Sequence, residues 1–274
     1  MIPSPLNINE QQAAIAFSRQ AEIFDETFSG NSIVKYKRQR VKNHLLKYLD
    51  SENFILELNS GTGEDAIWFA QQGHYVHATD ISEGMQHILE KKVKNFSLEN
   101  NITNEICSFT ELDKLQQKGP FDMIFSNFAG LNCTNELDKT LKSFSALLKP
   151  SGIVTLVLLP KFCFWEFLLL FKGKFKTALR RFSGKKGSKA FVESVPFNCW
   201  YYNPSYIIHH LKNDFELLSV EGLCTLVPPS YIEGFVEKHT RAFRFLQSKE
   251  NKWKSKWPWK SIGDYYIISL RKKS

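Results

Sequence analysis

Short apolar runs alternate with longer amphipathic stretches along most of the chain, and this pattern predicts an α/β fold. Strands are predicted at 54–58, 74–79, 105–107, 121–126, 153–159, 215–221 and 265–271. Helices are predicted at 9–29, 33–50, 64–72, 83–94, 134–148, 203–212 and 230–247. The central runs are apolar without strict alternation, which is typical of parallel strands buried on both faces.

The first predicted strand ends in a glycine-containing turn that leads directly into a helix. The turn covers 59–63 and reads NSGTG. Such a junction presents unpaired backbone N–H groups at the positive end of a helix dipole. Gly61 and Gly63 have no Cβ, so the backbone there can approach a ligand closely. The spacing Gly61-x-Gly63-x-x-Ala66 fits the dinucleotide-binding fingerprint only loosely.

Two acidic residues near the ends of the first two strands narrow the choice of ligand. Glu57 lies at the end of the first strand, where a carboxylate would repel a pyrophosphate but suits an ammonium group. The methionyl part of S-adenosylmethionine carries such a group. Asp80 follows the second strand and can accept hydrogen bonds from both ribose hydroxyls. NAD and S-adenosylmethionine both contain a ribose, so Asp80 indicates a nucleoside without choosing between them.

Four motifs, in order and at normal spacing, resemble those of the class I S-adenosylmethionine-dependent methyltransferases. They are ILELNSGTG, HATDIS, FDMIFSN and LLKPSGIVTLVLL, and the resemblance covers roughly residues 20 to 160. One departure is Asn59, where the family usually has glycine, although Asn tolerates the left-handed backbone region. The loop and the lid region also look like a bacterial subgroup of the small-molecule type.

The resemblance implies a Rossmann-like sheet of seven mostly parallel strands with helices on both faces. Strand seven would lie antiparallel between strands five and six, and a helical lid would be inserted after strand five. The implied division is 1–52 for N-terminal cap helices, 53–160 and 204–274 for the core, and 161–203 for the lid.

The implied cofactor is S-adenosyl-L-methionine, with S-adenosyl-L-homocysteine as its product. The residues expected to bind it are Glu57, Asn59, Gly61, Thr62, Gly63, Asp65, Asp80, Ile81, Met85, Ser108, Phe109, Asn127 and Arg40. Arg40 would bind the methionyl carboxylate, or would simply lie on a solvated helix face. Met85 would contact the adenine, or would be an ordinary core methionine.

The acceptor is expected to contact the loop after strand four and the lid. The residues expected there are Phe128, Asn132, Cys133, Phe162, Trp165, Glu166 and Tyr202. Alternatively, Asn127 and Asn132 cap backbone groups in a turn with Thr134 as helix N-cap. The sequence shows no catalytic constellation and predicts no metal site. His209 and Tyr202 are the candidates for a catalytic group, against ordinary packing.

The net charge of +8 is concentrated in one segment. Residues 161–190 hold seven lysines and two arginines against Glu166 alone, so that the rest of the chain is close to neutral. An almost wholly apolar run, 162–171, precedes the basic stretch 172–189. We therefore expect a small or carrier-bound hydrophobic acceptor, such as a secondary metabolite or a lipid-like molecule, methylated at oxygen or nitrogen. The basic stretch would face a membrane surface or an acidic carrier protein, or would be a solvated cap.

The sequence leaves two alternatives open. In one, the basic lid and Trp253, Trp257 and Trp259 bind nucleic acid, which is disfavoured because strand four lacks a Pro-Pro-Tyr type ending. In the other, the chain is a binding module that kept the cofactor fold without activity. Neither a signal peptide nor an apolar run of membrane-spanning length is evident, and the five cysteines are scattered. These features predict a cytoplasmic protein with reduced thiols.

Overall fold

A computed structural model of the protein describes residues 7–232 and 234–274 and contains a central seven-stranded sheet. In chain order the strands are β1 (Phe54–Leu58), β2 (Tyr75–Asp80), β3 (Ile102–Ile106), β4 (Phe121–Ser126), β5 (Leu148–Leu158), β6 (Ser188–Val192), β7 (Val195–Cys199), β8 (Phe215–Leu223) and β9 (Tyr265–Lys272). The sheet has the order β3-β2-β1-β4-β5-β9-β8, and β6 and β7 form a separate hairpin.

The α-helices lie between and around these strands. In chain order they are α1 (Ile8–Ser29), α2 (Ser32–Leu45), α3 (Glu64–Gln71), α4 (Glu83–Asn95), α5 (Leu137–Leu147), α6 (Phe164–Leu168), α7 (Phe175–Leu179), α8 (Pro204–Leu211), α9 (Phe235–Lys238) and α10 (Thr240–Trp253). Among the described residues, none of the helices combines the length and apolarity needed to cross a bilayer.

The strand directions confirm the predicted seven-stranded sheet. The strands β1 to β5 pair in parallel, whereas β9 runs antiparallel to both β5 and β8. Strand order reverses between β1 and β4, with Leu58 opposite both Thr79 and Ser126. In open α/β sheets this reversal leaves a crevice at the carboxyl ends of the strands, where ligands bind.

Both faces of the sheet are covered, which explains why the strands are continuous apolar runs. Leu56 and Leu58 pack in one core cluster, whereas Ile55 packs in the cluster on the other face. Successive side chains of a strand point to opposite faces, so one short run supplies both cores. Packing on both faces therefore stabilises the sheet, and the carboxyl ends of its strands remain available for a ligand site.

Several predicted boundaries were wrong. The strand predicted at 105–107 is Ile102–Ile106, because the polar pair Thr103 and Asn104 hides its start at the sheet edge. The helix predicted from 134 begins at Leu137, after a 3₁₀ turn at Gly130–Cys133. Thr134 accepts a hydrogen bond from Glu136 N but is not the N-cap residue.

The elements that flank the core were also misjudged in part. The helix predicted at 33–50 ends at Leu45, and the helix predicted at 230–247 is two helices, α9 and α10. They are separated at His239, and Gly234 before them has a φ of 69°, a left-handed conformation that glycine adopts without strain.

The lid region differs most from its prediction. An apolar helix followed by a basic loop was expected, but the segment consists of the short helices α6 and α7, several 3₁₀ turns and the β6–β7 hairpin. The hairpin sequence SKAFVESVPFNC contains Lys, Ser, Pro and Asn, which are uncommon in strands. Its turn places Glu193 and Ser194 at positive φ, which the sequence does not signal. The division of the chain at 52, 160 and 203 stays a prediction.

Candidate active site

A cavity opens at the carboxyl ends of β1, β2 and β4, where the strand order reverses. Its empty space out to the mouth is about 830 Å³. The floor consists of strand ends and the loops that follow them, and α1 and α2 contribute the wall. The lining residues are Ala13, Ala14, Phe17, Phe24, Arg38, Glu57, Asn59, Ser60, Gly61, Thr62, Glu64, Asp65, Asp80, Ile81, Ser82, Met85, Phe109, Asn127, Phe128, Gly130 and Cys133.

The turn after β1 adopts the left-handed conformation that its glycines permit. Asn59, Gly61 and Gly63 have φ values of 48°, 54° and 81°. A Cβ on Gly63 would lie 2.1 Å from Leu89 Cδ1, so the helix α4 packs where a larger residue would stand. Asn59 has a structural use here: its Nδ2 donates to Asn127 O at 3.0 Å, and its Oδ1 accepts from Ser126 Oγ at 2.6 Å. The departure from glycine therefore ties the turn to β4.

Glu57 is a buried carboxylate with an unused acceptor. Its exposure is 2 %, and within the described part of the chain its Oε2 has no hydrogen-bond partner. Burial raises the pKa of Glu57 well above its usual value, and the nearby Asp65 raises it further, while Arg38 acts in the opposite direction. An unsatisfied buried acceptor is costly, so this oxygen is suited to a donor that a ligand brings.

Asp80 lies beside it in the cavity lining and is held by backbone donors. Its Oδ2 accepts from Gly61 N and its Oδ1 from Ser82 N, each at 2.9 Å. Burial raises the pKa of Asp80, and the hydrogen bonds from Ser82 and Gly61 oppose that shift. The carboxylate is thus fixed between the two loops that follow β1 and β2.

A third carboxylate links the loop after β4 to α2. Asp65 Oδ2 accepts from Asn127 Nδ2 at 2.7 Å, and Asp65 Oδ1 lies 3.7 Å from Arg38 Nη1. The Arg38 guanidinium also lies over the Phe128 ring, 5.3 Å from its centroid. Among the described residues, Arg38 is the cation that lines the cavity, and it was not among the residues predicted to bind the cofactor.

Arg40 does not face the cavity, so that prediction was wrong. Its Nη1 contacts Glu250 Oε1 at 3.0 Å, its Nη2 donates to Gly222 O at 3.1 Å, and it is 3 % exposed. Gly63 and Ser108 are also absent from the lining. Gly63 is the N-cap residue of α3, and Ser108 Oγ donates to Glu10 Oε2 at 2.7 Å.

Of the residues predicted for the acceptor, Phe128 and Cys133 line the cavity and the others do not. Asn132 uses its amide to bind backbone, donating to Trp200 O at 2.5 Å and accepting from Leu159 N at 3.0 Å. Asn132 therefore has the structural role of binding backbone groups, which was the alternative to acceptor binding. The pKa of the Cys133 thiol is raised by its hydrogen bond with Cys199 and by burial, which makes it a poor nucleophile.

The two aromatic lid residues predicted for the acceptor pack within the lid. Phe162 lies against the rings of Phe167 and Phe182, and Trp165 lies near Phe164. Neither ring reaches the lining of the cavity, so both predictions were wrong.

Glu166 and Tyr202 form their hydrogen bonds with residues that do not line the cavity. The Glu166 carboxylate binds two arginines of the lid, and Tyr202 Oη donates to Thr134 O at 2.6 Å. His209 is exposed on α8, which packs against α5 and β8 and not against the cavity. The hypotheses of a catalytic role for His209 and Tyr202, and of a substrate role for Glu166 and Tyr202, were therefore wrong.

The wall made by α1 was missed as well. Ala13, Ala14 and Phe17 line the cavity from a helix that was expected only to cover it. The small residues at 13 and 14 were the available signal, but only the tertiary placement of α1 shows what they face. Thr62 Oγ1 donates to Asp25 Oδ1 at 2.7 Å, which connects this helix to the glycine turn.

Comparison with known proteins identifies the central segment. Residues 55–152 match the family model described as a methyltransferase domain. A malonyl-[acyl-carrier protein] O-methyltransferase from Erwinia pyrifoliae is 30% identical over 155 residues, which are 55% of this chain and 52% of that protein. The chain thus matches only about half the length of this curated relative.

Two solved structures resemble the whole chain in fold. The [4+2]-cyclase SpnF has a TM-score of 0.61 at 15% identity and covers 99% of this chain and 98% of its own. The 1,6-didemethyltoxoflavin-N1-methyltransferase from Burkholderia thailandensis has a TM-score of 0.56 at 15% identity, and the match covers 100% of this chain and 94% of that protein. At this identity the likeness concerns the fold, which a cyclase and a methyltransferase here share. Residues 55–152 thus match a methyltransferase domain, and the whole chain has the methyltransferase fold.

Proposed function

We propose that the protein is an S-adenosylmethionine-dependent methyltransferase acting on oxygen or nitrogen of a small or carrier-bound hydrophobic acceptor. The observation that carries the proposal is a pair of carboxylates on adjacent strands, the buried Glu57 and the partly buried Asp80, which face one cavity. Glu57 has an acceptor without a partner among the described residues, next to the glycine turn. A ligand with an ammonium group and a ribose satisfies both carboxylates at once.

The cavity residues fit the parts of S-adenosylmethionine. Glu57 would bind the methionyl ammonium, Asp80 the ribose hydroxyls, and Arg38 the methionyl carboxylate. Met85 and Phe109 offer apolar surface for the adenine ring. Bound there, the cofactor supplies a methyl group on a positively charged sulfur. A dinucleotide fits less well, because Glu57 would oppose its pyrophosphate.

The protein's own contribution to methyl transfer is to bind and orient the reactants and to exclude water. Among the described residues that line the cavity there is no histidine, and Cys133 has a raised pKa. We therefore assign no general base from this chain. The acceptor atom is one that is nucleophilic without such help, such as a carboxylate oxygen or an amine.

The acceptor class is inferred from the surfaces beside the charged part of the cavity. Phe17, Phe128 and Ala13 present apolar surface to the cavity. The curated relative is named for methylating malonyl-[acyl-carrier protein], which supports an acceptor delivered on a carrier. The nucleic-acid alternative gains less support, because Trp253 and Trp259 stack on each other with centroids 5.5 Å apart.

Calorimetric titration of the protein with S-adenosylhomocysteine tests the cofactor assignment. Asp80→Ala and Glu57→Gln should each weaken binding at least tenfold, because each removes a charge-assisted hydrogen bond worth about 1.5–3 kcal/mol. Asp122→Asn is the matched control, since Asp122 binds Lys149 at the opposite end of the strands. Its affinity should stay near that of the unsubstituted protein.

Unchanged affinity in both cavity variants would refute the assignment, and so would tighter binding of NAD than of S-adenosylhomocysteine. Folding of each variant is checked by circular dichroism before titration, because Asp80 also accepts two backbone N–H groups.

A further inference from the structure

The lid carries an exposed apolar and basic surface that the methyltransferase site does not use. We call it the lid surface and define it by its most exposed large apolar residues and the lysines among them. The apolar residues are Phe171, Phe175, Leu179, Phe182 and Phe191, and the lysines are Lys172, Lys174, Lys176, Lys185, Lys186 and Lys189. None of these residues lines the cavity.

The exposed fractions are large for apolar side chains. They are 82 % for Phe171, 61 % for Phe175, 58 % for Phe182 and 66 % for Phe191. A single exposed apolar residue is ordinary, but several within about twenty residues mark a surface that binds something. Four phenylalanines left in water indicate a partner that removes them from it.

The lid buries charge while it exposes these rings. Glu166 and Arg181 are 1 % and 2 % exposed, and their Oε1 and Nη2 lie 2.6 Å apart. Arg181 Nη2 also contacts Asp264 Oδ1 at 2.8 Å. Although Cys163, Glu166 and Asp264 offer donor atoms within 4.8 Å of one another, the guanidinium already supplies the cation there. The ion cluster fixes the lid to the core and leaves its other side free.

Helical spacing places the exposed apolar side chains on one side. Phe175, Leu179 and Phe182 follow each other at i, i+4 and i+7 along α7 and the 3₁₀ turn after it. Side chains at these intervals lie on the same face of a helical segment. The buried residues Ala178 and Arg181 alternate with them and point to the core. The lid surface therefore includes a continuous apolar stripe.

The lysines around the stripe have no acidic partners. All six are exposed, and within the described ranges none forms an ion pair with an acidic side chain. The two arginines of the segment do pair with Glu166, so the positive charge directed to solvent comes from lysine. A negatively charged partner complements this surface.

We propose that the lid surface docks the protein on an anionic lipid bilayer. Phenylalanine rings flanked by lysines are the composition of segments that lie in the membrane interface. A bilayer accepts protruding side chains wherever they stand, whereas a folded acidic protein would need a matching pocket for each ring. The protruding phenylalanines thus favour lipid over an acidic carrier.

Vesicle flotation tests the proposal with the full chain. The vesicles are phosphatidylcholine alone, or phosphatidylcholine with about a third phosphatidylglycerol, at low ionic strength. The protein should float with the anionic vesicles only. Two variants should reduce the bound fraction at least tenfold: Lys→Gln at all six lysines of the lid surface, and Phe→Gln at 171, 175, 182 and 191.

A matched control separates location from total charge. It carries Lys→Gln at six exposed lysines elsewhere, namely Lys35, Lys94, Lys139, Lys212, Lys238 and Lys252, and it should float like the unsubstituted protein. Thermal unfolding verifies that each variant is folded.

Failure of the unsubstituted protein to float, or equal loss in the control variant, would overturn the proposal. So would capture by an immobilised acidic acyl-carrier protein, dependent on the same lysines, without flotation. These outcomes leave the cofactor titration untouched, so the two proposals fail independently.

Discussion

Glu57 shows how a residue can serve a site at the expense of the fold. Its carboxylate is buried and has a free acceptor among the described residues, and its pKa is raised by burial and by Asp65. The folded protein therefore holds this proton more tightly than the unfolded chain. Protonated Glu57 therefore contributes to the stability of the folded protein. This contribution is complete below the pKa of Glu57 in the unfolded chain, about 4.5, and is lost as pH rises through its pKa in the folded protein.

Glu57→Gln should accordingly stabilise the ligand-free protein at high pH. We expect its melting temperature at pH 8 to exceed that of the unsubstituted protein by a few degrees, corresponding to roughly 1–3 kcal/mol for the unpaired group. The gap should shrink to about zero near pH 4. Scanning calorimetry of both proteins between pH 4 and pH 8 measures it.

Asp122→Asn is the comparison for this experiment. Its carboxylate accepts from Phe54 N and Lys149, so its loss should lower the melting temperature at pH 8. A Glu57→Gln variant that melts at or below the unsubstituted protein at every pH would contradict the argument.

At the scale of the element, α2 divides its two arginines between site and fold. Residues two apart on a helix lie about 200° apart around its axis. Arg38 accordingly faces the cavity, while Arg40 turns to Glu250 and Glu221, at 3.0 Å and 3.5 Å. One helix thus closes the site with one face and is anchored by the other.

The two arginines should give opposite phenotypes when replaced by leucine. Arg38→Leu should weaken S-adenosylhomocysteine binding about tenfold with little change in stability. Arg40→Leu should cost about 3–5 kcal/mol of unfolding free energy, because Glu250 and Glu221 lose a buried cation. Calorimetric titration and urea denaturation separate these effects. Loss of affinity in Arg40→Leu with unchanged stability would reverse the assignment.

The same helix shows where sequence reasoning stops. The strands and the glycine turn could be predicted because apolar runs and glycines are local signals. Arg38 and Arg40 differ only in which side of α2 meets the sheet, and that depends on partners more than 180 residues away, such as Gly222. The β6–β7 hairpin could not be predicted for a related reason. It packs on α1, which is distant in sequence, and its own composition is weakly β-forming.

At the scale of the molecule, α1 connects the loops that build the cavity. Its buried Glu10 accepts hydroxyl donors from Ser108 at 2.7 Å, Thr110 at 2.8 Å and Thr134 at 2.9 Å. Further along, Ser18 and Ser82 hydroxyls lie 2.8 Å apart. These contacts join α1 to loops following β2, β3 and β4. Since α1 also lines the cavity, a ligand held on the strand ends touches it directly.

Ligand binding should therefore order α1 more than other surface helices. Hydrogen exchange followed by mass spectrometry, with and without saturating S-adenosylhomocysteine, measures this. Amides between Ala13 and Phe24 should exchange at least tenfold more slowly in the complex, because opening of α1 then requires loss of ligand contacts. Amides of α10, whose residues do not line the cavity, provide the comparison and should change much less. Slowing in α10 equal to that in α1 would mean that the ligand stabilises the whole fold uniformly. Unchanged exchange in α1 would mean that this helix does not close over the ligand.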